Sequence, residues 1–344
     1  MDMKNNLFSY ATSELSQDAF ICWLCSFALD GAKEDPTLRE CAKEMIRLFL
    51  PEINNQSFIL TKIERQRYHT DVLLTVQTSN CNYKIIVEDK TYTKEHNDQL
   101  ETYLAVVGRN HSDHIVRGVY YKTGFQCDLS AVEKAGYTII TRTQTLSLMK
   151  KFVSKTKNQI FLDYFEYWNN FQQETEQYLD SPISEWDWKQ INGFYDHLKT
   201  SNFFKERNLW MGYGYVANRS GGFHGLWAGI DNHRICINGN NYELYLQLET
   251  SAEDTTTALL CLKLSVVDPN PEKSVVREAR DQLIYSEDWT YKLGKYNFRK
   301  PSRLSLGQHM TIGTYSANPS NYVTLLEALD LAIRDYTLLM KDFF

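Results

Sequence analysis

The chain has 344 residues, 43% of them hydrophobic and 23% charged, with a formal net charge of −6. That length supports a large core and two domains, and the negative balance excludes a protein that coats nucleic acid wholesale, but not one with a locally basic cleft. No apolar run approaches the ~20 residues of a membrane span, and the start, Met1-Asp2-Met3-Lys4-Asn5-Asn6, is polar and lacks a signal-peptide core.

The seven cysteines are scattered and odd in number, which predicts a reduced, cytoplasmic protein. Cys22 and Cys25 have the spacing of a redox or zinc pair. They lie inside an apolar stretch without a second pair of ligands nearby, so they read as small core residues. The spacing of Phe20, Trp23, Leu24 and Phe27 predicts a helix over about 13–29 with one stripe facing a core. Gly31 to Asp35 reads as a turn. A second amphipathic helix is expected over 38–50, stopped by Pro51. Phe58 to Ile63 reads as the first strand, with Glu64 just after it.

The stretch from Ile63 to Tyr103 is the most informative. Arg67-Tyr68-His69-Thr70-Asp71 leads into the apolar run Val72 to Val76. Ser79-Asn80-Cys81-Asn82 is a turn signal. Tyr83 to Val87 is a second β-rich run that ends in Glu88-Asp89-Lys90. With the turn centred near Ser79-Asn80, Asp71 falls opposite Glu88, with Cβ atoms about 4.5–5.5 Å apart. Side chains alternate along a strand, so Ile86, Glu88 and Lys90 share a face while Asp89 points to the other. Two carboxylates and a lysine then converge. Carboxylates repel one another, so the arrangement suits a hard divalent cation such as Mg²⁺ or Mn²⁺. The strands are apolar on both faces, as in a sheet buried between helical layers. A helix is expected over about 94–107, with His96, Gln99 and Tyr103 on one face.

These elements resemble the PD-(D/E)XK nuclease superfamily: an acid entering one strand, Asp71, then (D/E)-x-K at the end of the next, Glu88-Asp89-Lys90. The likeness is nearest to a bacterial subgroup whose following helix carries Gln-Leu-x-x-Tyr, here Gln99-Leu100-Glu101-Thr102-Tyr103. It covers roughly residues 8–150. Two departures stand out: Thr70 precedes Asp71 where the family usually has Ile, and Asp89 takes the place of the common Asn. The resemblance implies a restriction-endonuclease-like fold and a Mg²⁺-dependent nuclease. In it Asp71 and Glu88 would hold the metal, with the Asp89 carbonyl as a third ligand. Lys90 would orient or deprotonate the attacking water. Gln99 would reach the water or the phosphate, and Tyr103 would brace it or stack. Glu14, on the first helix, is an implied outer ligand, although an acid in a first turn is also simply favoured by the helix dipole. Glu64 could face the site; an exposed strand-end acid explains it equally well.

Further on, Ile115 to Tyr121 reads as a strand, Ser130 to Ala135 as a short helix closed by Gly136, and Tyr137 to Ile140 as a strand followed by a helix through about Phe152. His111 and His114 have ligand-like spacing but lie in a polar loop. Strands alternating with helices predict an α/β core. An aromatic helix over 158–178 leads to a junction at Asp180-Ser181-Pro182. The expected domains are therefore 1–180, nuclease-like, and 181–344, an accessory α+β unit with an antiparallel sheet. The second unit reads as a helix over 186–198, short strands, and a final helix from Tyr322 to about Lys341 with Leu326, Leu329, Ile333 and Tyr336 buried. Its hairpin signals are Asn218-Arg219-Ser220-Gly221-Gly222 and Asn238-Gly239-Asn240-Asn241. Lys292, Lys295, Arg299, Lys300 and Arg303 form a basic run interleaved with Tyr291, Tyr296 and Phe298, which suits phosphates and stacked bases; a solvated strand edge kept polar would look the same.

The expected function is a divalent-metal-dependent nuclease acting on nucleic acid, DNA first. A homodimer is an allowed assembly, and no membrane contact is expected. The competing expectation is a catalytically inactive nucleic-acid-binding or protein-interaction module on the same scaffold.

Overall fold

The computed structural model describes residues 5–32, 35–96, 98–218, 221–232, 234–251, 257–268, 272–304 and 306–342. The chain divides into two units, residues 1–173 and 174–344. The division falls within the last helix before the expected junction at Pro182, because the aromatic periodicity carries that helix on to Glu176.

In the first unit, α1 (Glu14–Ser26) and α2 (Pro36–Phe49) precede β1 (Phe58–Arg65), β2 (Val72–Thr78) and β3 (Asn82–Lys90). Asp35 caps α2 by accepting from the Leu38 N–H, and Pro36 occupies the first turn, where its missing N–H costs nothing. Then come α3 (Gln99–Asn110), β4 (Ile115–Lys122), α4 (Ser130–Lys134), β5 (Thr138–Thr141), α5 (Arg142–Val153) and α6 (Gln159–Glu176). α3 starts at Gln99 rather than near Lys94, so His96 lies before it and not on its face.

Among the described residues five strands form one sheet in the order β1-β2-β3-β4-β5. β1, β2 and β3 are antiparallel neighbours, while β3-β4 and β4-β5 are parallel, so the sheet is mixed. Thr78 closes the β2–β3 turn by accepting from the N–H groups of Asn80 and Cys81. That turn sets Val72 opposite Val87 and Leu73 opposite Ile86, and the same register brings Asp71 and Glu88 face to face. One sheet face carries Leu73, Ile86 and Tyr120 and packs with Leu100 and Val107 of α3 and Val132 of α4. α1, α2 and α5 pack on the other side. The buried β2 and β3 therefore bring their carboxyl-bearing ends to a place where polar groups have to be satisfied by one another.

The second unit contains α7 (Trp188–Thr200), β6 (Trp210–Asn218), β7 (Gly221–Gly229), β8 (Arg234–Ile237), β9 (Asn240–Ser251), β10 (Thr257–Val266), α8 (Lys273–Ile284), α9 (Glu287–Lys295), β11 (Phe298–Arg299), β12 (His309–Tyr315) and α10 (Tyr322–Lys341). Among the described residues its seven strands form an antiparallel sheet, ordered β11-β12-β10-β9-β7-β6 with β8 beside β9. The β8–β9 turn at Asn238-Gly239 has both central residues left-handed, φ 50° and 78°, which is why Asn and Gly stand there. The β6–β7 turn signal falls partly outside the described residues, but Asn218 pairs with Gly221 across it. α10 ends where expected; its buried stripe uses Leu325 in place of Leu326, one residue round the helix.

Candidate active site

Three elements converge at the ends of β2 and β3. The Lys90 ammonium donates to Glu88 Oε1 at 2.6 Å and to the Asp89 carbonyl at 3.2 Å, and lies 3.9 Å from Asp71 Oδ2. Asp71 Oδ2 also accepts from the Asp89 N–H at 2.9 Å, which ties the acid on β2 to the backbone of β3. From α3, Gln99 Nε2 donates to Glu88 Oε1 at 2.9 Å and contacts the Tyr103 hydroxyl at 2.8 Å. The one-turn spacing of Gln99 and Tyr103 thus makes a unit that grips the central carboxylate. Sequence parity had placed Asp89 on the opposite face, and there it lies, fully buried and bonded to Gln17 of α1.

These groups have too few donors for their oxygens. Glu88 is 1% exposed, and no N–H or hydroxyl donor reaches its Oε2, the Asp71 and Glu88 carboxyls being within hydrogen-bonding reach of each other. Burial, and then the neighbouring Asp71 charge, raise the Glu88 pKa to about 7. The Asp71 carboxyl is likewise raised, chiefly by burial, against the opposing pull of the Asp89 N–H and Lys90. Burial would depress Lys90, but Glu88 and Asp71 outweigh it and hold the ammonium above its ordinary range.

α1 adds an acid that sequence reasoning passed over. Asp18 is 1% exposed, its Oδ1 lacks a partner, and burial followed by repulsion from Asp71 raises it to about 7. Glu14, the acid singled out on this helix, is committed elsewhere: its Oε1 accepts from the Thr91 N–H at 2.9 Å and the Thr93 hydroxyl at 2.8 Å, fastening the segment that leaves β3. Asp18 was legible as the residue one helical turn beyond Glu14, on the same side. Glu64 belongs to β1 itself; it pairs with Lys62 at 2.8 Å and lies 3.8 Å from Lys84 rather than joining Asp71.

Among the described residues no group of three His, Cys, Asp or Glu side chains is drawn together tightly enough to hold a metal by itself. Lys90 is committed to Glu88 Oε1 and lies 3.9 Å from Asp71 Oδ2, and the two carboxyls are within hydrogen-bonding reach of each other. The donor set still fits a hard cation, since two carboxylates, a backbone carbonyl and water suffice for Mg²⁺, and the buried Glu88 Oε2, which no N–H or hydroxyl reaches, is a donor in want of one. His111 and His114 are neighbours, but His114 Nδ1 is bonded to Asp113 at 2.8 Å.

The basic run of the second unit is dispersed among several partners. Lys292 pairs with Asp288 at 2.8 Å and Lys295 with Asp342 at 2.8 Å. Lys300 lies 4.1 Å over the Tyr285 ring, while Arg299 and Arg303 are exposed. Tyr296 and Phe298 are 7% and 2% exposed, so these two rings belong to the core and do not offer faces to bases; Tyr291, 71% exposed, does. Comparison with protein-family models, with curated proteins and with solved structures returns no match to this chain.

Proposed function

We propose that the first unit is a divalent-metal-dependent nuclease of restriction-endonuclease-like fold that hydrolyses phosphodiester bonds in DNA. What carries this reading is the meeting of Asp71, Glu88 and Lys90 at one sheet end, with a buried oxygen of Glu88 that no N–H or hydroxyl reaches. A surface salt bridge needs neither burial nor a second acid; buried carboxylates crowded together are costly, and a cation repays that cost. Asp71, Glu88 and the Asp89 carbonyl would hold the ion, and Asp18, whose charge interacts with those of Asp71 and Glu88, would be the acid that α1 adds. When bound, the ion supplies Lewis-acid chemistry, acidifying water and neutralising phosphate oxygens.

The remaining roles fall to the chain's own side chains. Lys90 keeps its proton, which suits a group that donates to the negative oxygens of the pentacoordinate transition state rather than one that takes a proton. Gln99, braced by Tyr103, fixes the Glu88 carboxylate by hydrogen bonding to Oε1 and leaves Oε2 for the ion. The test is a panel of single-stranded DNA, duplex DNA and RNA incubated with Mg²⁺, Mn²⁺ or EDTA. DNA cleavage that needs the metal and disappears in Asp71→Ala supports the reading; cleavage in EDTA, or none with any metal, overturns it.

A further inference from the structure

The segment joining β1 to β2 is strained in a way its sequence does not require. Gln66, Tyr68 and His69 all have left-handed backbones, with φ of 52°, 57° and 65°, though none is glycine and one is an aromatic. Such strain persists only where the surroundings fix it, and it collects at functional sites. Here two things fix it. The Tyr68 ring packs on the apolar cluster between the sheet and α3. The Gln66 N–H donates to the Asp71 carbonyl at 3.1 Å, so the loop closes on the candidate catalytic acid itself. The result is that Arg67 is held out on an exposed turn with its guanidinium 4.4 Å over the Tyr68 ring and Nη2 3.3 Å from the Tyr68 hydroxyl. Among the described residues no carboxylate lies within ion-pair distance of Arg67. An arginine positioned by an aromatic face instead of an acid keeps its charge and most of its five donors available for a phosphate.

We propose that Arg67 is a phosphate-binding residue of the substrate cleft, gripping the DNA backbone on the His111 side of α3 and away from the bond to be cut, and that the left-handed turn exists to present it. This rests on the nuclease reading and adds to that site a substrate contact outside the reacting centre. Tyr68 is then a positioning residue, because it acts through Arg67. The residues flanking the turn agree with the assignment: His69 is exposed, and Arg65, on the other side of edge strand β1, reaches α1 through the Leu15 carbonyl at 3.4 Å. Lys62, Arg65 and Arg67 thus outnumber Glu64, the one acid at this end of β1, whose charge Arg67 also feels beyond ion-pair distance.

The experiment titrates a short duplex DNA with full-length protein in Ca²⁺, which permits binding to be read apart from cleavage, over a series of salt concentrations. Arg67→Ala is expected to weaken binding about tenfold, as for loss of one charge-assisted contact, and to reduce the slope of log K against log salt by about 1. Arg67→Lys should keep the slope but lose part of the affinity, and Tyr68→Leu should weaken binding with the slope intact. In Mg²⁺ the Arg67→Ala loss should fall on KM more than on kcat. Wild-type cleavage together with unchanged Arg67→Ala affinity and slope overturns the inference and leaves the nuclease reading standing. A wild type that neither binds nor cleaves DNA removes both.

Discussion

Asp18 and Glu14 sit one turn apart on α1 and have opposite tasks. Glu14 spends its oxygens on Thr91 and Thr93, whereas Asp18 is buried with an oxygen unpaired and Asp71 near enough to repel it. Asp18→Asn should therefore weaken Mn²⁺ binding, measured by titration calorimetry, more than Glu14→Gln does. Glu14→Gln should instead lower stability by about 1 kcal/mol through a weakened acceptor, read from denaturant unfolding. The reverse ranking in metal affinity would restore Glu14 as the ligand. The two raised carboxyls also set a pH dependence. Asp18 and Glu88 rise from 3.8 and 4.5 to about 7 on folding. Between those limits the native state binds more protons than the unfolded chain, so stability falls as pH rises through that window. In EDTA the thermal midpoint should be higher near about pH 5 than near about pH 7.5, and Mn²⁺ should raise it more at the higher pH, where the carboxylates are ionised. A midpoint that climbs with pH in EDTA would mean these acids are not held protonated.

At the scale of elements, the hairpin was the part most open to sequence reasoning. Strand parity and a four-residue turn are enough to oppose Asp71 and Glu88, because a one-residue slip would turn Leu73 and Ile86 out of the core. α3 was less legible: its polar face suggested a start near Lys94, but His96 is left outside and the helix begins with Gln99 already bonded to Glu88. The turn at Gln66–His69 could not be read, since Gln66 and Tyr68 carry no signal for a left-handed backbone and His69 only a weak one. The path out of β3 depends on a close approach at Gly124, where a Cβ would fall 1.9 Å from the Thr91 carbonyl oxygen. That same carbonyl accepts from Lys122 at 3.1 Å. Gly124→Ala should therefore cost roughly 1–3 kcal/mol as an overpacking change and reduce cleavage by shifting the backbone one residue from Lys90. Unfolding curves alongside cleavage rates check it, and wild-type values for both would show that this backbone yields without consequence.

Across the whole chain, an α/β sheet followed by a unit with an antiparallel sheet was legible from hydrophobic periodicity and turn residues, because both reflect what each segment must bury. Long-range side-chain partners did not follow. The basic run at 292–303 looked continuous, yet Lys292 and Lys295 are spent on Asp288 and Asp342, the latter nearly fifty residues away by sequence. Likewise the cost of burying Glu88, Asp89 and Asp18 is visible only once three elements are packed together. No helix among the described residues is long and apolar enough to cross a membrane. The nuclease reading stands on Lys90, which shares a strand face and a 2.6 Å bond with Glu88. A preorganised charge of this kind is worth about 10²–10³-fold in rate, while on the proposed reading metal and DNA would be held by other groups as well. The deciding measurement is single-turnover cleavage of duplex DNA in Mg²⁺ by wild type and Lys90→Ala, with Mn²⁺ and DNA binding measured on the same preparations. The expected result is a loss of about 10²–10³-fold or more in cleavage, with both ligands still bound. Equal cleavage by the two proteins would contradict the account and reduce Lys90 to the counter-ion of a buried acid.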